Sequence, residues 1–295
     1  VYESDPQLYS DTLRLLMDSW HGEKWSLAAN ILGGMSVFLR AYGREYNPER
    51  FLKKVGAADL AALRAVPAEK LVNTAYSHNS MTVDGYAITE QPYLTYARGA
   101  NNEEALLGGF NGHEADLFNY FLRVNTGNYA DTLREIFGER TDAVTALYPA
   151  STDAEAKAAV NDVLSAVWFA YSHYDWSRLL TAQGKPVYEY YFTKTNGGLS
   201  NNHAGELPYA YGNLGTQPYN YTEEDAALSA LMQRYWVNFA RTGDPNGEGL
   251  PRWPLFADSA GQVLNFDTEI RLVPDPYLPL YAIIDACQQE LRTEE

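Results

Sequence analysis

Two residues of this 295-residue chain have the types and settings for acid–base chemistry, and both stand beside glycine-rich turns. His203 belongs to Asn202-His203-Ala204-Gly205-Glu206-Leu207-Pro208-Tyr209, at the end of a Gly/Asn-rich loop that follows an aromatic run. An imidazole titrates near neutrality, so a loop histidine after a strand is suited to the work of a general base. Glu114 closes Gly109-Phe110-Asn111-Gly112-His113-Glu114, just past another strand-like run. A carboxylate there can accept a hydrogen bond from a histidine, hold its tautomer and stabilise the imidazolium. Together they read as the acid and the base of a Ser-His-Glu triad. Each also has a plainer reading. Glu114 suits the solvated first turn of a helix, where acids favour the dipole, and His203 suits a surface loop. The other histidines (His21, His78, His113, His173) show none of the close spacings of a zinc site, so no metal and no cofactor is expected.

The elements that must position these residues follow from patterning. Apolar runs with strand character cover Ser26 to Leu32, Ala105 to Phe110 and Pro186 to Phe192, with a late short pair at Val263–Phe266 and Ile270–Val273. Helices announce themselves by their ends. Asn47 and Pro48 open one that Gly56 stops. Thr152 with Glu155 forms a capping-box pattern ahead of Val160, Val163, Leu164, Val167, Trp168 and Tyr171, which make one buried face. Thr222 with Asp225 repeats the pattern ahead of Leu228, Leu231, Met232, Tyr235, Trp236 and Phe239, and Gly243 follows. Strands alternating with helices predict an α/β fold, and with no repeat or linker visible, residues 1–295 are expected to form a single domain.

Composition narrows the partners. A net charge of -16 argues against nucleic acid and anionic membrane, which need clustered Lys and Arg. No apolar run approaches the roughly 18 residues of a transmembrane helix. Cys287 is the single cysteine, so no intrachain disulfide can form. Many bacterial secreted proteins also lack disulfides, so both a secreted and a cytoplasmic location stay open. The opening Val1-Tyr2-Glu3-Ser4-Asp5-Pro6 has no basic segment or initiator Met and reads as the start of a processed or truncated chain.

Longer motifs then resemble a known family. Gly109 to Phe118 is similar to the "G-x-N-x-D-E-G-x-x-F" of type B carboxylesterases, the group holding bacterial para-nitrobenzyl esterases and the cholinesterases. His203 to Gly212 resembles their "H-x-x-E-L-P-Y-x-F-G", and Trp236 to Asn246 their "W-x-N-F-A-R-T-G-D-P-N". Val83-Asp84-Gly85 matches the "V-D-G" that precedes the acid strand. The resemblance is dense from about Phe51 to Asp275. It implies the C-terminal portion of an α/β-hydrolase fold, with Glu114 as triad acid, His203 as base, Glu206 as a supporting carboxylate and Trp236 to Pro254 as structural. It implies no cofactor and a small-molecule ester substrate.

The departure is at the other end. The family's early strands, its H-G-G-G oxyanion loop and the strand leading to the nucleophile are missing. The glycine pairs at 33–34, 108–109 and 197–198 follow no histidine. Counting back along the family pattern puts the nucleophile near Ser4. Glu3-Ser4 keeps the "E-S" of G-E-S-A-G, but Tyr2 and Pro6 replace glycines that the sharp nucleophile turn calls for. Ser36, in Gly34-Met35-Ser36-Val37, is taken as a chance echo. A partial sheet would leave a strand edge exposed, so a second chain or a dimer is expected to cover it. Two rivals remain: an esterase-like binding module without a working nucleophile, and a carbohydrate-active protein suggested only by 38 acids and 23 tyrosines.

Overall fold

The aromatic run Val187–Phe192 is the central strand-former of a four-stranded sheet in the computed structural model, which describes residues 48–74, 86, 89–90, 92–116, 123–195, 201–215 and 220–293. Strands β1 (Leu106–Asn111), β2 (Val187–Phe192), β3 (Gln262–Phe266) and β4 (Arg271–Pro274) lie side by side in that order. β1, β2 and β3 are parallel, and β4 returns antiparallel to β3 as the expected late pair. The α/β expectation holds, and each strand lies within a residue or two of its sequence-read position. The runs and motifs at Ser4, Ser26–Leu32, Ser36, Val83–Gly85 and 197–198 lie outside the described residues.

The helices are α1 (Pro48–Val55), α2 (Leu60–Arg64), α3 (Ala68–Thr74), α4 (Pro92–Ala97), α5 (Tyr129–Phe137), α6 (Thr141–Leu147), α7 (Asp153–Ser165), α8 (Tyr171–Ala182), α9 (Leu207–Ala210), α10 (Glu223–Thr242) and α11 (Leu278–Thr293). Both capping boxes form. Thr152 and Thr222 each accept from the N3 amide, and Glu155 and Asp225 reach back to the cap. Gly56 stands at φ 74° just past α1, and Gly243 at φ 75° ends α10, conformations that glycine adopts without the Cβ clash.

Helices cover both faces of the sheet. On one face Phe110 packs with Leu133 and Ile136 of α5, Val163 and Leu164 of α7, and Tyr281 of α11. On the other, Tyr188, Tyr190 and Phe192 pack with Met232 and Tyr235 of α10 and with Trp253. Burying each such side chain contributes about 1.5–3 kcal/mol. The Trp253 indole N–H donates to the Glu189 carbonyl at 3.0 Å, which ties the segment after α10 to β2.

Two local features depart from simple patterning. The helix begun by α7 does not run straight into α8: Ala166–Ala170 is a π turn, all five residues buried. In β1, Gly109 is obligatory. A Cβ there would lie 2.2 Å from the Tyr190 carbonyl oxygen and 2.5 Å from its ring.

Candidate active site

Because β1 and β2 are parallel, their carboxyl ends emerge at the same end of the sheet. Each is followed by one of the two loops of interest. Pairing continues past the strands: the Gly112 N–H donates to the Phe192 carbonyl at 2.8 Å, and His113 bridges to Asn202, its N–H donating to the Asn201 carbonyl at 3.1 Å. The glutamate loop and the histidine loop are thus laced together by backbone hydrogen bonds.

Glu114 occupies a turn right after β1 and is buried, its side chain 7% exposed against 32% for His203. It is not the solvated helix-start acid of the plainer reading. Its Oε1 accepts from the Asn111 N–H at 2.8 Å and its Oε2 meets His203 Nδ1 at 2.7 Å. A carboxylate facing Nδ1 favours the tautomer that carries its proton there, which leaves Nε2 as the accepting nitrogen. The hydrogen bond to Glu114 raises the pKa of His203 above its ordinary 6.5, outweighing the opposing effect of burial. The two residues stand 89 positions apart in sequence.

The surrounding side chains fix this pair. The Asn111 amide donates to the Asn202 carbonyl at 2.8 Å and to Glu206 Oε2, which links strand end, histidine loop and second carboxylate. The Tyr190 hydroxyl donates to Glu206 Oε1 at 3.4 Å. Burial pushes the Glu206 carboxyl up, the Asn111 hydrogen bond opposes this, and the nearby Glu114 charge reinforces it. On the helix side, Ser165 Oγ accepts from the Ala115 N–H at 3.1 Å, and the Phe169 ring lies 4.8 Å from that of His203. Ala204, directly after the histidine, holds φ at 67°, a left-handed conformation costing a non-glycine residue about 1 kcal/mol.

Of the residues read from sequence, Glu114, His203 and Glu206 come together, while Ser4 lies outside the described residues. Asn111, Ser165 and Phe169 were not singled out. Asn111 stood in plain view inside the glutamate motif; Ser165 and Phe169 carry no local signal, since their relevance depends on contacts distant in sequence. The aromatic side chains nearby divide between core and cleft. Trp168, Tyr171 and Tyr209 are core residues. Trp176, Tyr211 and Trp236 line a cleft of about 240 Å³ that reaches Glu206 from along β1. Among the described residues, no group of His, Cys, Asp and Glu is placed to hold a metal ion.

Known proteins share this arrangement of sequence and fold. The profile of the Carboxylesterase family matches residues 24–279. Fumonisin B1 esterase of Sphingopyxis macrogoltabida is 28% identical over 236 residues, which is 72% of this chain and 44% of that protein. The human cocaine esterase is 42% identical over a shorter stretch of 93 residues, 28% of this chain and 16% of that protein. A carboxylesterase of Geobacillus stearothermophilus superposes with a TM-score of 0.62 at 23% identity, over 89% of this chain and 62% of that one. The chain therefore spans less than half the length of the fumonisin esterase, and that superposition speaks for the shared fold alone.

Proposed function

The chain belongs to the carboxylesterase family, and from that premise we propose that it supplies the acid and the base of a serine hydrolase acting on small carboxylic esters. The observation that carries the reading is the 2.7 Å contact between buried Glu114 and Nδ1 of His203. In the proposed sequence, a serine Oγ attacks the ester carbonyl carbon and passes its proton to His203 Nε2. The imidazolium, steadied by Glu114, returns that proton to the leaving alkoxide and an acyl-enzyme remains. Water then repeats the transfer and frees the acid. Ser4 is the nucleophile that the sequence offers. No cofactor enters this chemistry, and the remainder of the site is proposed to come from a second chain or a second copy docked along the sheet.

A fluorophosphonate probe tests this on the folded chain. Covalent labelling, lost in Ser4→Ala and slowed in His203→Gln, is the expected result. A folded protein that neither labels nor cleaves p-nitrophenyl esters would overturn it and favour a binding module that keeps Glu114 and His203 without turnover.

A further inference from the structure

The π turn at Ala166–Ala170 is not one that Gly or Pro explains. It contains neither Gly nor Pro, and Ala166 and Ala170 are the strongest of helix formers. The Tyr171 N–H nevertheless reaches back five residues to the Ala166 carbonyl. One extra residue in the turn rotates the helix before it by about 100° relative to the helix after it. Its contacts lie across the core. Ser165, the last residue of α7, accepts from the amide that follows Glu114. Phe169, inside the π turn, lays its ring against His203, 4.8 Å between centroids and tilted by 40°. One buried stretch of helix therefore braces both halves of the acid–base pair.

We propose that Phe169, presented by this π turn, is a positioning residue for His203: it clamps the imidazole against Glu114 and favours its protonated form. Its catalytic meaning rests on the hydrolase reading above. A ring face within about 6 Å attracts a cation, and the imidazole becomes one each time it takes the serine proton. Among the described residues, Glu114 and Glu206 are the charged groups that act on the imidazole, both from loops. The helix side contributes the quadrupole of Phe169 and a wall that keeps the ring from swinging off the Glu114 carboxylate.

Nuclear magnetic resonance on the full folded chain decides it without any need for turnover. The His203 Hε1 signal, assigned by its absence in His203→Gln, is titrated in the parent, Phe169→Leu and Phe169→Tyr. The expected result is a pKa lower by about half a unit in the leucine variant and restored in the tyrosine variant. The parent itself gives a reading that no variant's folding can disturb: cross-relaxation between Phe169 ring protons and those of the His203 ring. An identical pKa in the parent and the leucine variant, or no such cross-relaxation, overturns the proposal. Failure of the fluorophosphonate labelling would remove the hydrolase reading and leave this measurement intact.

Discussion

Glu114 is buried and has both of its oxygens on partners, a backbone amide and an imidazole. That arrangement suits the acid of the proposed triad, and the proposal carries a pH signature. The base works only as neutral imidazole. A His203 pKa raised by Glu114 therefore places the acidic limb of any ester-hydrolysis profile above pH 6.5, with activity growing as pH rises through it. Glu114→Gln should move that limb to lower pH and cut kcat by about 10³–10⁴-fold, because the wrong tautomer becomes accessible. A limb that stays in place in a steady-state pH profile would deny Glu114 this role. Residue types and loop settings left a plainer reading open for both Glu114 and His203, and the motifs resembling the family were what singled them out. Their contact was not legible, because it depends on strand pairing between segments 89 positions apart. The burial of Glu114 was hidden for the same reason.

Among the elements, capping boxes were readable because their chemistry is local: a hydroxyl, an amide and a carboxylate within three residues. The π turn was not, since its alanines fit an α-helix equally well. β2 hides a second feature of this kind. Its patterning reads as an apolar strand, yet Glu189 is buried within it, one oxygen accepting from Ser177 Oγ at 2.9 Å. Burial, reinforced by the charge of Asp275, pushes Glu189 up to about 8. The unfolded chain ionises this group near 4.5, so between about 4.5 and 8 unfolding releases a proton that the native state holds. Stability must fall as pH rises through that window and level off above it. Burial raises Asp275 to about 6, which adds to the fall in the lower part of the window. Glu189→Gln should flatten the decline in Tm between pH 5 and 8 and raise Tm at pH 8; parallel melting curves for the two proteins would show that Glu189 is ionised in the native state.

At the scale of the molecule, β1 has a neighbour on one side only among the described residues. A strand edge carries a row of backbone donors and acceptors ready to pair. The cleft that runs along it is lined by Trp176, Tyr211 and Trp236 together with His173 and Glu206. This supports the proposal that a second chain or a second copy docks there. Sedimentation equilibrium should then give a mass above the 33.0 kDa of one chain, and a monodisperse species at that mass would sink the idea. The family and the α/β class were legible in the motifs spread from Phe51 to Asp275. The nucleophile was not, because the turn that presents it is recognised by glycines that the residues around Ser4 lack.

The parallel pairing of β1 with β2 reaches further than this one site. Neighbouring strands lie about 4.8 Å apart in any sheet, a distance set by the peptide hydrogen bond and not by any side chain. Glu114 stands just past the end of β1, and the loop that carries His203 is bonded back to that end through the Gly112 and His113 amides, so their spacing owes much to backbone geometry. A descendant of this chain could lengthen the helical crossover between the strands, or exchange most of its surface. It would still bring Glu114 and His203 within hydrogen-bonding reach of each other.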